Sequence, residues 1–189
     1  MFIFTYTPMK TLLLVILCLI SSRLSLAQMA PAHLTPADEK GIRESVNHWE
    51  ANLNNHRFQE MTTYTTKDIS FITPIGMLWR GQQQLVQGHL KLFTKMYKGV
   101  PFKSSEMTIR AIAPDVAVMN QIMAIGVAYP PDGVNRGTNK IGPTRDRVTM
   151  TLVKQNGHWL VAAGQVTAID EEAIKGSAPK VASVKTNPK

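Results

Sequence analysis

The chain has 189 residues, 44% of them hydrophobic, and a formal charge of +8. That is one domain's worth of sequence, long enough for a single sizeable core. No basic helix with interleaved aromatic residues accompanies the charge, so nucleic acid is not an expected partner.

Met9-Lys10, the apolar run Leu12–Ile20 and then Ser25-Leu26-Ala27 have the layout of a secretory signal cut after Ala27. Met9 is an alternative start, since Met1–Pro8 resembles no charged leader region. Arg23 interrupts the run well short of the ~20 apolar residues a span needs, so no stable membrane anchor is expected after cleavage. Cys18 is the only cysteine and lies inside this run, behind a Leu17 too large for lipid attachment. The mature chain would therefore have no disulfide, no cysteine nucleophile and no thiolate ligand, as suits a periplasmic or secreted protein whose core suffices by itself. Loss of Lys10 and Arg23 takes the formal charge from +8 to +6. The expected divisions are a signal over 1–27, a linker over 28–34, a domain over 35–170 and a disordered basic tail over 171–189.

Within the domain, Thr35-Pro36-Ala37-Asp38 reads as a capped helix start, and Ile42, Val46, Trp49 and Leu53 form its apolar stripe. A shorter helix is predicted over about Arg57–Thr65, with Phe58, Met61 and Tyr64 inward. Ile69, Phe71 and Thr73 then alternate as a strand from Asp68, Pro74 and Gly76 break it, and Met77-Leu78-Trp79 resumes. The next helix carries Leu85, His89, Leu92, Phe93 and Met96 on one face, which puts a histidine inside an apolar stripe. Strands are predicted over Pro101–Ala113, Val116–Tyr129, Thr144–Gln155 and His158–Ile169, the last two joined by the hairpin signal Asn156-Gly157. Helices grouped before a meander predict an α+β fold, three helices on one face of a curved, mostly antiparallel sheet. Val116, Val118 and Ile122 make the other strand face apolar too, which points to a two-fold homodimer.

The stretches WEANLNNHRFQEM, DISFITPIGMLWRG, GHLKLF, IRAIAPDVAVMN and LVKQNGHWLVAAGQVT resemble the SgcJ/EcaC family. Those are SnoaL-like proteins of the nuclear transport factor 2-like superfamily, with ketosteroid isomerase, scytalone dehydratase and polyketide cyclases as relatives. The likeness spans about Pro36–Asp170 and implies a conical fold around a cavity, used for unrelated chemistries and for plain binding. Gly133, Gly137 and Gly142 lack dinucleotide-loop spacing, so the oxidoreductase label common in the family finds no support and no cofactor is expected.

His89 is the first candidate site residue, either a proton-passing imidazole or a buried histidine bonded to a backbone carbonyl. Tyr64 brings a hydroxyl of the kind that, in isomerases of the resembled superfamily, donates to a developing enolate; its alternative is a helix-end tyrosine reaching solvent. Trp49 and Phe71 are candidate lining residues, although the regular stripe reads Trp49 first as plain core, and the family pattern sets Trp79 at the mouth. Of Asn120 and Gln121, which face opposite ways, Asn120 is the expected inward residue. Gln165 shares a face with Trp159, Val161, Ala163 and Thr167, and there it either orients a ligand carbonyl or ties the sheet to a helix. Arg145, Asp146 and Arg147 alternate with both arginines on one face and read as a solvated edge; a cavity-facing arginine is the alternative and would suit an anionic ligand. Asp68 reads as an exposed turn former. His48, His56 and His158 share no metal-ligand spacing, and no metal is expected.

These readings together predict an exported, dimeric, cofactor-independent cavity protein for a small apolar or carbonyl-bearing ligand. If it turns its ligand over, the chemistry is proton transfer, isomerisation or dehydration. The alternative is a ligand- or protein-binding module without turnover, and a third reading has the cavity filled by Met and Phe side chains.

Overall fold

A computed structural model describes residues 32–177 of the chain. The expected signal over 1–27, most of the linker and the far end of the tail lie outside those residues. Among the described residues no helix is long and apolar enough to cross a membrane.

Helix α1 spans Pro36–Asn55. It starts as the sequence predicts. The Thr35 hydroxyl accepts from the Asp38 N–H at 3.1 Å, and the Asp38 carboxylate accepts from the Thr35 N–H at 3.2 Å. The other Asp38 oxygen accepts from Lys154 Nζ at 2.7 Å and Trp159 Nε1 at 3.0 Å, so one carboxylate caps the helix and fixes it to the sheet. Lys154 foremost, then Thr35 and Trp159, hold that carboxyl well below the usual carboxylate range. Ile42, Val46, Trp49 and Leu53 are buried on the side facing the strands. Further along, the Asn54 amide exchanges two 2.9 Å hydrogen bonds with the backbone of Phe102, acting as a short strand partner.

The second helical segment is a 3-10 turn over Phe58–Thr63, shorter than the predicted helix. Strand pairing takes the residues after it: β1 covers Thr65–Ile72, and its Thr65 pairs with Val161. A three-residue strand β2, Leu78–Arg80, folds back on β1, and helix α2 follows over Gly81–Phe93. Four long strands complete the sheet: β3 Phe102–Ala113, β4 Val116–Ile125, β5 Thr144–Gln155 and β6 His158–Ala168. The β5–β6 turn has positive φ at both Asn156 and Gly157, as a type I′ hairpin requires. Strand β4 stops four residues before the predicted end. At Gly126 the N–H turns to the carbonyl of Pro101, and an added Cβ would lie 2.7 Å from the proline ring.

The strand order is β2-β1-β6-β5-β4-β3, parallel between β1 and β6 and antiparallel elsewhere. The fold is α+β as predicted, an open curved sheet with two long helices and the 3-10 turn forming the helical layer. Met119, Gln121, Met123 and Ile125 of β4, with Val148, Met150 and Leu152 of β5, are buried in the strand positions that face that layer. Val116, Val118 and Ile122 occupy the opposite face. Strand β6 has one extra residue, because Thr151 pairs with Ala163 while Leu152 pairs with Val161. Such a bulge reverses which side chains face the core.

The tail expected to be disordered from residue 171 instead begins with a short helix α3, Glu171–Ser177. Asp170 accepts from the Ala173 N–H at 2.9 Å, and Glu171 pairs with Arg145 at 2.9 Å, which together start the turn and hold it to β5.

Candidate functional site

Helix α2 faces the sheet through Leu85, Val86, His89 and Phe93, one buried stripe at helical spacing. His89 is 5% exposed. Its Nδ1 donates to the carbonyl of Leu85, one turn earlier, at 2.8 Å. The ring proton therefore sits on Nδ1, and Nε2 carries a bare lone pair. Five aromatic rings surround the imidazole. Trp79 is nearest, edge-on at 5.1 Å between centroids; Trp49 and Phe58 follow at 5.6 Å, Phe71 at 5.9 Å and Phe93 at 6.0 Å. Burial among them pushes the His89 pKa down to about 4, with only the Leu85 carbonyl acting the other way. At neutral pH His89 is uncharged: it can accept a proton at Nε2 and has none there to give.

His89 lines a cavity of about 80 Å³ between α2 and the sheet. Trp49 and Phe71, expected as lining residues, are part of its wall. The half-buried Trp79 and the exposed Pro74 also border it, on its solvent side. A close fit holds Trp79 there. A Cβ on Gly88 would lie 2.4 Å from its indole ring, so α2 is bare where the ring crosses it.

The cavity also contains a carboxylate that the sequence reading assigned to a solvated edge. Asp146 of β5 is 3% exposed, and it lines the cavity between the outward Arg145 and Arg147. Arg145 is engaged by Glu171 and Glu106 on the outside. Asp146 makes no side-chain hydrogen bond or ion pair with any described residue, and burial raises its pKa. Alternation held the signal: Asp146, Val148, Met150 and Leu152 share one strand face, and the last three are plainly core. Tyr97, from the turn after α2, lines the same cavity; burial raises its hydroxyl's pKa, and so does Asp146.

Three predicted site residues lie elsewhere. Tyr64 is buried, but its hydroxyl accepts from Asn52 Nδ2 at 3.0 Å and borders a different groove, beside Asp38 and Trp159. Burial keeps that phenol protonated far above its usual range. Asn120 is on the face away from α1 and α2, where its Oδ1 accepts from Thr149 Oγ1 at 2.7 Å. The inward residue of that pair is Gln121, fully buried with neither amide atom hydrogen-bonded. Gln165 is exposed, since the β6 bulge separates its parity from that of Trp159 and Val161.

This α+β arrangement, a helical layer on a curved sheet, recurs in solved structures. A protein of cystatin-like fold from Caulobacter vibrioides superposes with TM-score 0.67 at 22% identity, covering 74% of this chain and 94% of its own. A hexachlorocyclohexane dehydrochlorinase (LinA) of type 2 gives TM-score 0.61 at 11% identity, over 71% of this chain and 86% of that one. A ketosteroid isomerase-like protein from Erwinia carotovora atroseptica gives 0.56 at 18% identity, over 69% and 95%. At such identities the likeness establishes the fold alone. The sequence goes further: residues 42–166 match the SnoaL-like domain, and the chain belongs to that family. No curated protein matches the chain by sequence.

Proposed function

We propose that the protein is a cofactor-independent proton-transfer enzyme, an isomerase or lyase, acting on a small molecule in the cavity beside His89. One observation carries this reading: a neutral imidazole with its Nδ1 occupied and its Nε2 bare shares an aromatic cavity with a single buried carboxylate. In the step envisaged, a substrate C–H bond breaks and its proton passes to Nε2. The electron pair left on carbon forms a double bond as a β-substituent departs, or moves onto a neighbouring carbonyl oxygen. The aromatic walls lower the local polarity, which strengthens the interactions that organise such a step. The dehydrochlorinase and the ketosteroid isomerase-like protein among the structural neighbours support chemistry of this kind on this scaffold. Export, supported by the apolar run Leu12–Ile20, and a homodimer through the apolar outer face belong to the same proposal.

A binding module without turnover is the second reading. The low pKa of His89 favours it, since an imidazole held at about 4 is a weak base toward a C–H proton at neutral pH. Deuterium exchange separates the two. The chain is incubated in D₂O with small ketones, hydroxy-ketones and β-substituted carbonyl compounds, and loss of C–H signal is followed by NMR. Exchange that His89→Gln abolishes supports the enzyme. No exchange above buffer across the panel leaves the binder.

A further inference from the structure

The cavity wall holds one carboxyl group without an ionic partner and no basic side chain but the neutral His89. Trp49, Phe71, Trp79, Phe93, Tyr97 and Phe102 all contribute rings to it, and among the described residues Asp146 is its only carboxylic acid. Among the described residues no lysine or arginine reaches it, and His89 is uncharged at neutral pH. Burying a carboxylate without a partner is costly, and proteins ordinarily pair such a group or replace it. Here the two neighbouring arginines point outward, and Arg145 is held there by Glu171 at 2.9 Å. A cation entering the cavity would supply the partner Asp146 lacks and favour its ionised form.

We infer that the cavity binds a small organic cation, an alkylammonium group, held between the Asp146 carboxylate and the faces of Trp49, Trp79 and their aromatic neighbours. The inference deepens the functional reading above, since it names the charged part of a ligand for the same site. Two features of the wall select for such a group. Aromatic faces carry negative quadrupole density and attract ammonium groups, tryptophan most strongly. A carboxylate in the same low-dielectric space attracts the cation further and repels carboxylates and phosphates. Size narrows the choice. An apolar cavity of about 150 Å³ takes benzene, so the present one, near 80 Å³, fits a head group of only a few heavy atoms. The imidazole remains compatible with a cation beside it, because its bare Nε2 presents a lone pair.

Titration of the full chain with methylammonium, trimethylammonium and tetramethylammonium chlorides tests this, followed by tryptophan fluorescence and by calorimetry. Sodium chloride, tert-butanol and acetate serve as controls. Saturable binding of at least one ammonium ion, with neither tert-butanol nor acetate binding comparably, is the expected result. Asp146→Asn keeps the shape and should weaken that binding by roughly tenfold or more. Trp79→Phe, which keeps a ring at that position, should weaken it less. Equal affinity for tert-butanol, tighter binding of acetate, no saturable ammonium binding, or Asp146→Asn binding unchanged would each overturn the inference. The test is independent of turnover. Ammonium binding without exchange chemistry upholds the ligand class and defeats the enzyme reading; exchange on neutral ketones without ammonium binding does the reverse.

Discussion

The Nδ1 of His89 donates to the carbonyl oxygen of Leu85 across 2.8 Å, one turn back along the same helix. That bond settles the tautomer, with the proton on Nδ1 and a free lone pair on Nε2. It also makes the histidine measurable. Its pKa is about 4 in the folded chain against 6.5 unfolded, so below pH 6.5 the unfolded state binds the extra proton. Its contribution is complete above pH 6.5 and lost as pH falls toward 4, on the order of 3 kcal/mol in all. Asp146 acts with the opposite sign: its raised pKa gives stability at low pH that is lost as pH rises through the folded value. In an Asp146→Asn background the urea midpoint should therefore be level above pH 6.5 and decline toward pH 4. Adding His89→Gln should flatten that decline; a slope that persists would contradict the assigned burial.

Gly88 and Trp79 make a second test. A methyl at Gly88 meets the indole at 2.4 Å, and the ring must leave its place. Gly88→Ala should cost about 1–3 kcal/mol by overpacking and shift tryptophan emission to the red as Trp79 moves into water. Unchanged emission would mean that Trp79 does not cover the solvent side of the cavity.

Gln121 is buried with both amide atoms unbonded. Gln121→Met keeps an unbranched chain and removes the unmet polar groups, so stability should rise by about 1–2 kcal/mol. Chemical denaturation checks the sign. A loss would show that the amide has partners of its own.

Tyr64→Phe removes the hydroxyl that accepts from Asn52 Nδ2 at 3.0 Å, outside the His89 cavity. Thermal unfolding should register about 1 kcal/mol of destabilisation, while ammonium affinity stays as in the parent chain. A marked change in affinity would return Tyr64 to the site.

At Asp38, where the carboxyl lies well below its usual range, the stabilisation is present above pH 3.8 and lost as pH falls through the folded value. Asp38→Asn gives up the charge that Lys154 matches. It should lower Tm at neutral pH, and the deficit should shrink in acid. A constant deficit would assign the loss to the cap alone.

What could be read beforehand was short in range. Thr35 and Asp38 make their cap within one turn, and Asn156-Gly157 closes its hairpin alone, so both were visible as local chemistry. His89 stood out because one polar residue broke a regular stripe. Asp146 and Gln121 were legible through strict alternation with Met150 and Met123, yet their flanking residues drew attention away. Gln165 was different. Its face depends on how β6 registers against β5, a property of two strands that neither carries by itself. Tyr64 followed the 3-10 turn, whose early end was set by pairing of β1 with a strand nearly a hundred residues on.

The extra residue in β6 makes that strand change parity partway along. Removing Ala162 would close the bulge and leave Gln165 outward and Val166 toward the ligand space, because only Ala163 would then separate Val161 from Gly164. A change of strand length between Trp159 and Gly164 that the bulge does not absorb would swap those two faces, whereas one in the Pro130–Pro143 connection would not. An alignment that slides a gap across the stretch would mistake the exterior of a relative for the wall of its pocket.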